Sequence, residues 1–394
     1  MESKTPSAAP EPYAHPIDGE LRKAVEDKAI PGVVAMATDR EGAFYRGAFG
    51  VADADTARPM TADALFRIAS MTKALTSVAA LQLVETGRLR LDDAAERHLP
   101  AFSGLCVLEA FDSVTGDYRV RPAGKAVTVR HLMTHCSGLG YGFTSPVVRD
   151  FKPRAGEAFP VGPLMFEPGD QWLYGTSTDW LGRVIEAVSG VPLDDYFRRH
   201  ILEPLAMPDT FYSVPADKQA RLVATHRRQP DGTIAKDPNQ PPPVFSPAMG
   251  GGGLSSTADD YIRFTRMLLN GGALDGERIL SPETVELMSR NHIGALGVTA
   301  LKSALPERSA DFAFVADGRD KFGLGFLITA DPVSGKRSAG SLSWGGISNT
   351  YFWIDRARGI AGVILMQFLP FADPQALAVY DAFERGVYRL ADAM

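Results

Sequence analysis

Ser70 and Lys73 stand three residues apart in FRIASMTKALT (66–76), at the mouth of an apolar stretch. In a helix that spacing puts the hydroxyl and the ammonium on one face, within reach of each other. The run ALTSVAALQLV (74–84) is apolar on nearly every side, so the pattern predicts a helix opened by Ser70 and buried all round. A lysine in the first turn of such a helix meets desolvation and the positive end of the helix dipole, and both disfavour its charged form. It is then a general base beside a nucleophile. No other serine in the chain has a lysine three places on.

Two later segments supply what acyl transfer would still need. FEPGDQWLYGTSTDWLG (166–182) places Tyr174 in a glycine-rich turn just before a helix. A phenol near an ammonium gives up its proton more readily, so it can serve as base toward Ser70 and later as acid toward a leaving group. SWGGI (343–347) starts a C-terminal hairpin, and its paired glycines let a substrate approach the strand edge. The N–H of Ile347 and that of Ser70 are expected to form a two-donor oxyanion hole.

Together with VTVRHLMTHCSGLGY (127–141) and GGGGLSSTADDYIRF (250–264), these segments resemble the serine β-lactamase and penicillin-binding-protein superfamily. Within it the chain is most similar to the class C β-lactamase-like esterases, the family VIII carboxylesterases. The fungal acyltransferase that attaches the side chain of statin precursors belongs to the same branch. The resemblance runs from about Pro16 to the C-terminus. It implies Ser70 as acylated nucleophile, Lys73 as its proton acceptor and Tyr174 in the tyrosine position of Y-x-N. Trp344, Gly345 and Gly346 fall where K-T-G stands in the lactamases. Two departures matter: Thr176 replaces the Y-x-N asparagine, and Trp344 replaces the cationic lysine. An indole there favours neutral, apolar groups over a β-lactam carboxylate.

The implied function is a serine carboxylesterase acting on small to medium, mainly apolar acyl esters. The alternatives are acyl transfer to an alcohol acceptor, weak β-lactamase or D,D-peptidase activity, and a non-catalytic binding protein. Tyr141, Phe143 and Phe151 follow the SGLG turn and are read as walls of an acyl pocket or as ordinary loop packing. Trp344 has two readings as well, pocket wall or buried structural indole. His131 and His135 have the i, i+4 spacing of a zinc pair, but Leu132 occupies the place of the glutamate of H-E-x-x-H, so they read as structural. No metal and no organic cofactor is implied.

The elements that must position these groups fall in a simple order. A helical pattern from Asp18 to about Ile30 precedes a hairpin turning at Glu41-Gly42, and the helix after Ser70 stops at Gly87. Helical patterns then dominate residues 88 to 250, with a long loop from Arg228 to Gly253. A second hairpin turns at Arg358-Gly359, and a last helix opens with Asp373 as N-cap and Pro374 at N1. Strands at both ends and helices between predict an α/β (α+β) architecture of β-lactamase type, an antiparallel sheet flanked by helices beside an all-helical domain. The expected units are a disordered arm at 1–15, a discontinuous α/β domain at 16–62 and 255–394, and a mainly helical domain at 63–254, with the active site between the two domains.

Composition sets the outer limits. The chain has 394 residues, 45% of them hydrophobic, and a net charge of −6 with signs interspersed. Without a basic run, nucleic acid is not expected as a partner, and a small-molecule ester is. The longest apolar run is too short to span a bilayer. Two cysteines, Cys106 and Cys136, are too few for a disulfide framework, and with no apolar leader this reads as a cytoplasmic protein. The sequence leaves the oligomeric state open.

Overall fold

The strand Gly32–Thr38, GVVAMAT, is buried at every position, as are Thr350–Asp355 and Ile360–Leu365. Near-continuous apolar runs of this kind belong to strands covered on both faces. The computed structural model, which describes residues 16–313 and 318–394, places them at the centre of an eight-stranded sheet. Its strands are β1 (Gly32–Thr38), β2 (Ala43–Asp53), β3 (Arg58–Pro59), β4 (Lys321–Phe322), β5 (Leu327–Ile328), β6 (Leu342–Gly346), β7 (Thr350–Asp355) and β8 (Ile360–Leu365). They lie in the order β4-β5-β6-β7-β8-β1-β2-β3, and every neighbouring pair is antiparallel. The N-terminal and C-terminal hairpins meet at the seam of β1 and β8, from Val34 opposite Leu365 to Thr38 opposite Ala361. The expected arm at 1–15 lies outside the described residues.

Six helices matter for the site: α1 (Pro16–Glu26), α2 (Thr72–Glu85), α3 (Val129–Thr134), α4 (Ser177–Ser189), α5 (Ala258–Leu269) and α6 (Pro374–Ala393). α1 and α6 cover one sheet face, with Trp353, Phe383 and Tyr388 in the core between them. α5 covers the other face, against β1, β7 and β8. Behind α5 lies α2, buried from Thr72 to Leu81, and Tyr261 of α5 donates a hydrogen bond to the Met71 carbonyl at its start. The predicted stops and caps are in place. Gly87, at φ 70°, ends α2 in a Schellman motif, with its own amide on Val84 O and that of Arg88 on Leu83 O. Asp373 accepts from the Gln375 and Ala376 amides, and Pro374 is the first residue of α6. Among the described residues no helix is long and apolar enough to cross a membrane.

Three local expectations need correction. Ser70 lies in a 3-10 turn, Ala69–Met71, and α2 begins at Thr72. The middle of the chain holds a β-hairpin, Cys106–Phe111 with Tyr118–Pro122, which the helical pattern hid. The stretch 228–253 is no free loop: Ile234–Lys236 pairs with His226–Arg228, which lies parallel to Phe368–Leu369 just after the sheet. The two crossings into and out of the middle segment also pair with each other, Phe66 opposite Ser256 and Arg67 opposite Ser255. That pairing fixes the start of α2 against the segment leading into α5.

Asp260, in the first turn of α5, ties the 209–210 loop down by accepting from the Asp209 amide (2.7 Å) and the Thr210 hydroxyl (2.8 Å). Burial pushes its pKa from 3.8 up to about 6. An acid whose pKa rises on folding stabilises the fold while it is protonated, below the unfolded value, and loses that contribution as pH climbs through the folded one. The stability gap between wild type and Asp260→Asn should therefore move against the wild type by up to about 3 kcal/mol between about pH 4 and pH 8. Denaturant titrations of both proteins across that range check it, and a gap that stays constant would rule it out.

Candidate active site

Ser70 is delivered by a strained turn. Ala69, at φ 45°, is in the left-handed region that costs a residue with a Cβ about 1 kcal/mol or more. Behind it, the Ile68 amide is held by the Leu254 carbonyl at 3.0 Å. The Ser70 Oγ accepts from the Tyr174 hydroxyl at 2.7 Å and from Lys73 Nζ at 3.2 Å, so the structure brings together the three residues the sequence singled out. Lys73 is 2% exposed. Its ammonium also donates to the Gly251 carbonyl (2.7 Å) and the Tyr141 oxygen (3.2 Å), which uses all three of its N–H groups. The Tyr174 and Tyr141 rings present their faces to it, at 5.0 and 5.3 Å from the ring centroids.

Tyr174 reaches Ser70 because its turn packs backbone on backbone against the SGLG turn. A Cβ on Gly175 would lie 2.0 Å from the Leu139 carbonyl oxygen, so only glycine fits there. The Leu173 amide is bonded to His135 O, which ties the two turns together. His135 is fully enclosed, with its ring 4.9 Å from that of Tyr174 and 6.4 Å from that of Trp344. Burial drives its pKa well below the usual imidazole value, and the Lys73 charge adds to the effect. It is a neutral packing ring beneath the site. His131 caps α3, accepting from the Thr128 amide on Nδ1 at 3.2 Å.

Asp179 is the functional group that sequence reasoning missed. It lies in the first turn of α4, where an acidic residue reads as an ordinary complement to the helix dipole. One of its oxygens accepts from the Tyr141 hydroxyl (3.0 Å) and the other from the Gly251 amide (2.8 Å). Asp179 thus holds both outer acceptors of the Lys73 ammonium, and Tyr141 belongs to that polar clamp. This corrects Tyr141 as a pocket wall: it does not line the cavity, whereas Phe143, stacked on it at 5.1 Å, does. Burial and then the Asp179 charge push the Tyr141 pKa well above its usual value, so the phenol keeps its proton. Phe151 packs instead on Tyr118, with ring centroids 4.8 Å apart.

The opposite wall is β6. β5 pairs with it only at Ser343 and Leu342, so the ladder ends before Trp344 and leaves the edge of Trp344–Gly346 facing the site. Trp344 is 6% exposed, packs 5.0 Å from the Tyr174 ring and lines the cavity. Gly345 lines the cavity too. Gly346 does not; it is where β6 abuts the nucleophile turn, since a Cβ there would lie 2.4 Å from the Ile68 carbonyl oxygen. Ile347, the first residue after β6, shares the cavity with Ser70. The cavity has a volume of about 540 Å³, and Leu301, Phe312, Leu327 and Phe371 extend its apolar wall.

Residues 17–385 match the beta-lactamase family. The chain is 31% identical over 404 residues to a monacolin J acid methylbutanoyltransferase of Aspergillus terreus, covering 93% of this chain and 94% of that one. It is 32% identical over 398 residues to a lovastatin esterase of Penicillium rubens, covering 95% and 98%. A mutant of simvastatin synthase from Aspergillus terreus superimposes with a TM-score of 0.81 at 29% identity, over 98% of this chain and 100% of that one. With the sheet, the inserted helices and the serine, lysine and tyrosine in contact, this chain belongs to the beta-lactamase family and is an enzyme of the serine-hydrolase type.

Proposed function

We propose that the chain is a serine carboxylesterase that works through an acyl ester of Ser70, on small to medium, mainly apolar acyl groups. The observation that carries the reading is the Ser70 Oγ, 2.7 Å from a phenol and 3.2 Å from a buried ammonium, on a cavity that Phe143, Leu301 and Trp344 also line. In the reactive form the Lys73–Tyr174 pair has already given up one proton to solvent, and it takes the Ser70 proton as Oγ attacks the ester carbonyl. The oxyanion rests on the N–H groups of Ser70 and Ile347, a pair in which losing one donor costs about 10²–10³ in rate. Tyr174 returns the proton to the departing alkoxide. Water then enters by the same path, gives up its proton to the same pair and releases the acid. Trp344, where a lactamase carries a cation, leaves a β-lactam carboxylate without its partner.

A second reading has its own support. The two curated relatives bear names for opposite directions of one chemistry, an acyl group placed on an alcohol and an ester cleaved. Here an alcohol replaces water at the second step. Butanol added to a p-nitrophenyl butanoate reaction should give butyl butanoate alongside butanoate, measured by gas chromatography. Butanoate alone at every butanol concentration would exclude the transfer.

Replacing Ser70 with Ala should lower ester turnover by at least about 10³-fold and abolish the mass increase after phosphonate treatment. Lys73→Met should cost about 10²–10⁴ and reshape the pH–rate profile. Full turnover by the Ser70 variant would end the mechanism. Asp179→Asn and Tyr141→Phe should each lower kcat about tenfold with KM unchanged, because both groups act on Lys73 from outside the cavity. The double variant should lose little more than either single one. Additive losses would mean that they do not work as one clamp.

A further inference from the structure

The cavity runs on from Ser70 past Trp344 and Gly345 to α6, and a row of aromatic rings lines it on the way: Phe312, Phe371, Tyr351 and Tyr380. Ring centroids stand 5.5 Å apart from Phe312 to Phe371, 6.0 Å from Phe371 to Tyr351 and 4.8 Å from Tyr351 to Tyr380, the last pair stacked within 7° of parallel. At such separations aromatic rings attract each other beyond the area they bury. The row is held from behind. A Cβ on Gly345 would lie 2.7 Å from Tyr351 Cδ1, so the glycine that stands in place of the threonine of K-T-G lets that ring lie against the strand. The Tyr351 hydroxyl donates to Asn349 Oδ1 at 2.8 Å, and Asn349 Nδ2 donates to the Phe368 and Pro370 carbonyls, each at 2.8 Å. The Phe371 amide is bonded to Arg308 O at 2.9 Å, and its carbonyl accepts from the Ala310 amide at 2.8 Å. Rings fixed in this way need little ordering when a ligand arrives. Charge at this end is balanced. Arg319 meets Asp331, Lys336 meets Asp381 and Arg385 meets Asp381, each at 2.8 Å, and Arg337 meets Glu384 at 2.7 Å. Asp320, the fourth carboxylate, accepts from the Ala330 amide at 2.9 Å. Four cations against four carboxylates leave no net charge to answer an ionic group, and what remains to recognise a ligand is aromatic surface.

We propose that this row of rings is a subsite for an uncharged aryl group of the substrate, reached along the cavity from the ester that Ser70 attacks. The substrate class is an arylalkyl ester, in which a short apolar spacer separates the scissile carbonyl from the ring. An alkyl chain gains from burial on any apolar wall, whereas a planar ring also gains the edge and face contacts that these four rings offer. The proposal rests on the acyl-Ser70 reading, and the aryl group can be carried on either side of the ester.

Pairs of probes that differ only in the ring separate those sources. On the acyl side, p-nitrophenyl 3-phenylpropanoate and 5-phenylpentanoate are each compared with the cyclohexyl counterpart. On the alcohol side, 3-phenylpropyl butanoate is compared with 3-cyclohexylpropyl butanoate. Burial alone favours the saturated ring, which has the larger apolar area. In the wild type, kcat/KM should instead be about three- to tenfold higher for the phenyl member on one side of the ester, and that side names the source. Phe371→Leu should bring the ratio down to about one, and Phe371→Tyr should restore it. Phe312→Leu, at the near end of the row, takes the place of Phe371→Leu if circular dichroism shows the latter unfolded. Ratios at or below about one in every wild-type pair, or a ratio unchanged in the leucine variant, would overturn the subsite. If no ester turns over at all, the acyl-Ser70 reading fails. Calorimetric binding of 3-phenylpropanol against 3-cyclohexylpropanol then decides the subsite by itself. Tighter phenyl binding that is lost in the leucine variant supports it, and binding that is absent, equal or unaffected by the variant rejects it.

Discussion

A buried ammonium governs this structure. A charge taken out of water is tolerated only when every donor finds an acceptor, since an unpaired buried charge costs several kcal/mol or more. Lys73 meets that demand with three acceptors from three stretches of the chain: its own turn, the SGLG turn and the glycine run 250–253. The remote pair is disciplined by a single carboxylate, Asp179, which bonds Tyr141 and the Gly251 amide at once. The negative charge therefore lies one hydrogen bond away from the ammonium. The phenol and the peptide carbonyl, in place of the carboxylate itself, hold Nζ where it also meets Ser70.

The sheet has a different task, to bring a backbone edge up to the nucleophile. β6 can do this because β5 stops pairing at Ser343 and because Gly346 permits contact with the Ile68 carbonyl. Ala69 completes the junction with its left-handed backbone, which turns the chain from Ile68 into the 3-10 turn that carries Ser70. Covered sheet, short β5 and strained Ala69 form one device. It puts Ile347, just past a rigid strand end, and Ser70, just before a helix, on the same cavity.

What could be read in the sequence was what is encoded locally. The Ser70–Lys73 spacing, Gly87, the turn at Arg358-Gly359 and the Asp373-Pro374 cap each need only a few adjacent residues to state their meaning, and each is present. Tyr174 was legible because its glycine-rich setting is equally local. The role of Tyr141 was not, since a tyrosine after a turn looks the same whether its hydroxyl meets solvent, a pocket or an ammonium 68 positions away. Asp179 was hidden by its helix-start position, and the Gly251 carbonyl by being backbone, which has no side-chain signature at all. The hairpin at 106–122 escaped because its strands, CVLEAF and YRVRP, are short and half-exposed, without a buried stripe to set a period of two.

The same division bears on which acceptor receives the acyl group. In the proposed mechanism the serine, lysine and tyrosine treat water and an alcohol alike, because each would lose one proton to the same pair and attack the same carbonyl. The choice between them is made by occupancy, by how long an alcohol stays in the cavity against water at its bulk concentration. That selectivity belongs to the walls, to Phe143 and Trp344 near the serine and to Leu301, Phe312 and Phe371 beyond. Of these only Phe143 and Trp344 sit beside a catalytic motif. The others come from segments whose sequence carries no chemical signal, which is why the acceptor cannot be read where the serine and lysine can.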